Sequence, residues 1–120
     1  MATILVVEDT PANQALATKL LRAAGHRVLS GDTAAAGIAL ATAHLPDLVL
    51  MDLGLPDMDG REALREIRAT ARTAGLRVVA FTAHAMVGDR ERSLAAGFDG
   101  YLSKPIDFAT FADSVGALLP

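Results

Sequence analysis

Five positions in this chain carry side chains suited to one kind of chemistry. Glu8 and Asp9 follow the apolar run 4–7, Asp52 ends the run 48–51, Thr82 ends the run 78–81, and Lys104 comes just after Tyr101-Leu102. Brought together they make three carboxylates, a hydroxyl and an ammonium. Carboxylates within a few ångströms of one another repel and raise each other's pKa unless a cation joins them. The chain has no cysteine, so an oxygen-only donor set is on offer, which suits a hard ion. Mg²⁺ is the natural occupant, with Mn²⁺ as a substitute, while Ca²⁺ would want more protein oxygens. Lys104 can then pair with a tetrahedral anion as a point charge, and Thr82 can donate one hydrogen bond to it. Phosphoryl transfer is the reaction such a set serves, because positioning and charge neutralisation carry most of its catalysis. Asp52 would be the nucleophile, forming an acyl phosphate.

These groups meet only if the strands that carry them run parallel. The apolar runs 4–7, 28–29, 48–51, 78–81 and 101–102 alternate with helical patterns, which argues a doubly wound α/β domain with helices on both faces of a parallel sheet and right-handed crossovers. The carboxyl ends of parallel strands gather at one rim, where open α/β sheets build their sites. The run 28–29 is short and close to Gly31, as expected of a weak edge strand.

Punctuation between the runs supports the alternation. Thr10-Pro11 reads as an N-cap with Pro at the first helical position, and the first helix carries Leu16, Leu20 and Ala24 on one stripe before Gly25. Asp32 or Thr33 caps a second helix with Ile38, Ala41 and Leu45 facing inward, broken at Pro46-Asp47. Residues 53–60, rich in Gly, Pro and Asp, form a loop. Asp59 and Glu62 are spaced as a capping box for a third helix along Leu64, Ile67 and Ala71, closed at Gly75. A weaker helix covers 88–96 and ends at Gly97. Asp107 is expected to cap the last helix, in which Phe108, Phe111, Ala112, Val115 and Leu118/Leu119 recur at helical spacing.

Composition removes whole classes of function. At 120 residues the chain is one domain. No apolar run approaches the roughly 20 residues that span a bilayer, and no basic segment opens a signal peptide. A net charge of −3 offers no basic footprint for nucleic acid. The absence of cysteine fits a reducing, cytoplasmic setting.

Taken in order, Glu8-Asp9, Asp52 within MDLGLPDMDG, Thr82, Tyr101 and Lys104-Pro105 resemble the marks of the receiver domain of two-component response regulators, along the whole chain. The run FTAHAMVGDRERSLAAGFDGYLSKPI is similar to single-domain regulators and to receivers attached to hybrid histidine kinases. The resemblance implies a flavodoxin-like (βα)5 fold with strand order 2-1-3-4-5. It also implies that Asp52 accepts a phosphoryl group from the phosphohistidine of a histidine kinase or histidine phosphotransfer protein. Asp9, Asp52 and the backbone carbonyl of Gly54 would bind Mg²⁺ directly, and Glu8 through a water. Thr82 and Lys104 would hold the phosphoryl oxygens, and Tyr101 would rotate inward as Thr82 moves, remodelling the face of helix four, strand five and helix five. Lys104-Pro105 would be cis. Asn13 and Gln14 on helix one and the Pro105-Ile106 loop would meet the partner. The domain would span residues 1–120 without an output domain, so signals would leave through contact with a downstream protein. It would be no enzyme beyond its own phosphorylation and dephosphorylation.

Other readings stay open at the level of residues. Asp57 and Asp59 suit turn and cap roles better than metal ligation, and Tyr101 could be a plain core aromatic. His26 and His44 read as surface residues, whereas His84, with Gly54, could tune water access to a phosphate. The Asp89–Arg92 cluster reads as a solvated helix face. A phosphorylation-independent binding module would keep the fold only. An aspartyl-nucleophile phosphatase would want a second Asp two residues after a nucleophile at strand one, and Val7-Glu8-Asp9-Thr10-Pro11 lacks it.

Overall fold

The computed structural model describes residues 2–83 and 88–120. Its elements alternate throughout: β1 Thr3–Val7, α1 Pro11–Ala23, β2 Arg27–Gly31, α2 Ala34–His44, β3 Leu48–Asp52, α3 Gly60–Ala69, β4 Val78–Thr82, α4 Asp89–Ala95, β5 Gly100–Ser103 and α5 Phe111–Leu118. All strand pairs are parallel and their order is β2-β1-β3-β4-β5, so β2 is an edge.

The alternation of side chains along each strand splits the core in two. Leu5, Val7, Val49, Met51, Val78 and Ala80 point to the face covered by Ala34 and Ala41 of α2 and by Ala63, Leu64 and Ile67 of α3. Ile4, Val6, Leu48, Leu50, Val79 and Phe81 point to the other, against Ala17 and Leu21 of α1 and Phe111 and Val115 of α5. β3 and β4 are buried along their whole length, as strands covered on both faces must be. Small residues let α2 approach closely: a Cβ on Gly37 would lie 2.6 Å from a Val7 methyl.

Several expectations about helix faces and ends need correcting. On α1 the fully buried pair is Ala17 and Leu21, while Ala24 is the exposed C-cap residue. A shift of one residue turns the stripe by about 100°, and the apolar Ala-Leu-rich helix admits either phase. Leu45 does not face inward. It takes a left-handed φ of 47° as the C-cap of α2 and is 40% exposed. α3 ends at Ala69, because Thr70 is extended. Ala71 is therefore exposed, and buried Thr73 takes its place, its hydroxyl donating to the Ile67 carbonyl at 2.7 Å. Asp107 closes a local turn, accepting from the Ala109 N–H at 2.9 Å, a habit of Asp side chains. The last helix begins only at Phe111, which leaves Phe108 72% exposed. Thr33, rather than Asp32, caps α2. His26 is half-buried, its Nδ1 accepting from the Ala2 N–H; His44 is exposed, and His84 lies outside the described residues. In the 89–92 cluster Arg90, Glu91 and Arg92 are exposed as expected of a solvated face, and Asp89 is half-buried and paired with Arg92. The Lys104-Pro105 peptide is cis.

Candidate functional site

Sheet register sets the rim. β1 and β3 pair up to Val7 and Met51, Asp52 lies beside Phe81, and Thr82 lies beside Ser103. The next residues on β1 and β5 continue the pattern: Glu8 N–H donates to the Gly31 carbonyl at 3.0 Å and Lys104 N–H to the Thr82 carbonyl at 2.8 Å. Four strands thus deliver their terminal residues to one edge of the sheet.

A hollow of about 270 Å³ opens there, lined by Asp9, Thr10, Asn13, Asp52, Gly54, Thr82, Ala83 and Lys104. Carboxylate oxygens of Glu8, Asp9 and Asp52 all lie within 4.8 Å of one another. Asp9 is exposed, while Glu8 and Asp52 are buried. Thr82 is buried at 1% exposure.

Glu8 is the deepest of these groups and both its oxygens are engaged. Oε2 accepts from Lys104 Nζ at 2.6 Å and Oε1 from the Asn13 amide at 3.1 Å. Lys104 Nζ also lies 3.3 Å from Asp52 Oδ2 and 5.0 Å from the centre of the Phe81 ring, so apolar and anionic neighbours fix it together. Asp52 Oδ1 accepts from the Gly54 N–H at 3.0 Å. Burial holds the Asp52 carboxyl above its ordinary pKa and the Glu8 charge adds to that, while the Gly54 amide and Lys104 pull the other way. A close packing contact fixes the strand exit as well. A Cβ on Gly60 would lie 2.7 Å from the Asp52 carbonyl oxygen, so the loop returns to β3 where only glycine fits.

The donor set fits a divalent cation. Three carboxylates and one ammonium leave two negative charges around the hollow, and every candidate donor is a hard oxygen. Tyr101 is half-buried against the α2–α3 side of the core, and burial first, then Asp89, raises its hydroxyl pKa.

Three residues also act within the fold in ways that the residue patterns did not indicate. Asn13, expected as a partner contact together with Gln14, holds Glu8, and the Gln14 amide donates to the Glu8 and Gly31 carbonyls, both at 3.2 Å. The signal was present: two amides one turn into a helix that follows an acidic pair. Asp57 does cap a helix as expected, but the helix is α2, whose Ala34 and Ala35 N–H groups it accepts.

The response regulator receiver domain family matches residues 4–115. The chain belongs to this family. Relatives of this receiver include Protein PilH of Pseudomonas aeruginosa, 34% identical over 99% of this chain and 98% of that protein. The polar-differentiation response regulator DivK of Brucella ovis is 33% identical over 98% of this chain and 95% of its own. Among solved structures, the chemotaxis response regulator CheY4 of Vibrio cholerae shares the receiver fold at a TM-score of 0.91 over 99% of both chains, with 23% identity. The receiver domain of the sensor histidine kinase PA1611 of Pseudomonas aeruginosa is 38% identical, at a TM-score of 0.84 over 98% of this chain and 93% of that one. That structure holds a magnesium ion in its active site cleft. Among the described residues of this receiver, no helix is long and apolar enough to cross a membrane.

Proposed function

We propose that this receiver is a phosphoacceptor switch in a two-component phosphorelay, with Asp52 as the residue modified. The observation that carries the reading is the convergence of Glu8, Asp9, Asp52, Thr82 and Lys104, the first four borne by three different strand ends, on one small hollow. An Asp52 carboxylate oxygen attacks the phosphorus of a phosphohistidine. The P–N bond breaks, its electron pair returns to the imidazole, and an acyl phosphate forms on Asp52. Lys104 stands 3.3 Å from Asp52 Oδ2 and so within reach of a phosphoryl oxygen there, and Thr82 at the end of β4 supplies a hydroxyl to another. The Gly54 N–H keeps the Asp52 carboxylate turned into the hollow. Asp9, Asp52 and the Gly54 carbonyl would hold Mg²⁺ or Mn²⁺, with Glu8 acting through water; bound there, the ion neutralises charge on the transferring group. Small motions of Thr82 on phosphorylation open the space into which Tyr101 turns, and the α4–β5–α5 face changes for a downstream protein.

The donor is a histidine kinase or a histidine phosphotransfer protein, and the exchange takes place in the cytoplasm without nucleic acid or membrane taking part. Incubation with a small phosphodonor and Mg²⁺ should add one phosphoryl group, seen by intact-protein mass, and Asp52→Asn should abolish it. A wild-type protein of unchanged mass would refute the reading.

A further inference from the structure

The loop 53–59 between β3 and α3 is closed at its base and fastened at its tip. At the base, Gly54 and Asp59 form an isolated antiparallel bridge, and Gly60 N–H donates to the Leu53 carbonyl at 3.3 Å. At the tip, Asp57 Oδ1 accepts from Ala34 N–H at 2.9 Å and Oδ2 from Ala35 N–H at 3.0 Å. Those amides open α2, where first-turn N–H groups have no partner within the helix. Thr33 Oγ1 takes the next, from Ala36, at 3.1 Å. A carboxylate at this end of a helix is also favoured by the peptide dipoles. The two amides hold the Asp57 carboxyl below its ordinary pKa, as expected for an ionised cap.

We propose that Asp57 is a positioning residue for the phosphoryl-transfer site. It ties the loop that carries Gly54 to the first turn of α2 and so keeps the Gly54 amide on Asp52. The inference rests on the phosphoacceptor reading above. Buried Leu55 gives the loop an apolar foot and the Gly54–Asp59 bridge pairs its base, while the two-oxygen clamp fixes the tip to α2 and so limits how far that base can turn. The coupling is reciprocal. A cation that orders Gly54 must also tighten the clamp, so the Ala34 and Ala35 amides exchange more slowly when the site is loaded. α2 thereby senses the site from the side of the sheet away from α5.

Three variants separate positioning from plain stability. Thr33→Ala weakens the same helix end without touching the loop, Asp57→Ala removes the clamp, and Asp57→Asn keeps one acceptor oxygen. Mg²⁺ affinity by titration and Gly54 amide exchange by NMR are the readouts. Asp57→Ala should weaken Mg²⁺ roughly tenfold, the low end for residues that support metal ligands, and should speed Gly54 exchange. Asp57→Asn should fall between, and decides the matter if the alanine variant does not fold. Thr33→Ala should match wild type in both. Wild-type-like Mg²⁺ affinity and Gly54 exchange in Asp57→Ala would overturn the positioning role and leave the phosphoacceptor reading intact. A wild type that binds no Mg²⁺ and takes no phosphate would overturn that reading, while Gly54 exchange would still judge the clamp.

Discussion

Lys104 Nζ lies closer to Glu8 Oε2, at 2.6 Å, than to Asp52 Oδ2, at 3.3 Å. The ammonium is therefore held mainly by Glu8 rather than by Asp52, the proposed phosphoacceptor. Removing it leaves a fully buried carboxylate beside the carboxylates of Asp9 and Asp52, with no neighbouring cation among the described residues and the Asn13 amide still donating to Oε1. Breaking one side of such a pair costs more than the pair contributes, because an uncompensated charge stays buried. Lys104→Ala should lose about 3 kcal/mol in urea unfolding with EDTA present, and Glu8→Gln in the same background should recover part of it. An additive double variant would show that the pair is not coupled.

Divalent cations should stabilise the folded state. Two net negative charges face the hollow, and a ligand that binds only the native form raises stability by mass action. The melting temperature should rise with millimolar Mg²⁺, fall back in EDTA, and stay flat in Asp9→Asn. An identical melting curve with and without Mg²⁺ in the wild type would discard the cation site.

Asp52 and Asp57 should respond to pH with opposite signs. The folded pKa of Asp52 is raised, so the native state holds its proton more tightly than the unfolded chain does. Its contribution is full below the ordinary carboxylate value of 3.8 and is lost as pH rises through the higher folded value. Asp52→Asn should therefore stabilise the metal-free protein near neutral pH, with the gain fading toward the ordinary carboxylate range. The folded pKa of Asp57 is lowered. Its contribution is present above the ordinary value and disappears as pH falls through the lower folded one. Asp57→Asn should thus destabilise at neutral pH and become neutral in acid. Thermal unfolding of both variants across pH checks the two signs together, and parallel pH curves would contradict them.

Ser93 is fully buried on α4, and its hydroxyl has no hydrogen-bond partner among the described residues. A buried unsatisfied hydroxyl is costly, and alanine is the better helix former. Ser93→Ala should raise stability by about 1 kcal/mol. A loss of stability in urea would mean that the hydroxyl has a partner in the folded protein.

Order and punctuation of the elements were legible because their signals are local. Apolar runs, the Pro11 helix start and the glycines at 25 and 97 each act within a few residues, and both glycines take positive φ where the chain turns, while Gly88, expected inside the fourth helix, takes positive φ as its N-cap. Helix phase was less legible. On α1, alanines and leucines offer two neighbouring stripes, and only the packing of Ala17 and Leu21 against the sheet selects one. The late start of α5 was hidden because Asp107 can open a helix or close a turn with the same side chain, and here it closes a turn.

By itself the sequence determined which residue types stand at the strand ends, since a carboxylate or hydroxyl that ends an apolar run can be read without knowing any neighbour. Their pairing comes from the folded chain: Lys104 leans on Glu8 across 96 positions and Asp57 caps a helix 23 positions away. Contacts of that span depend on strand order and register, which bring distant segments together and which no short stretch of residues encodes.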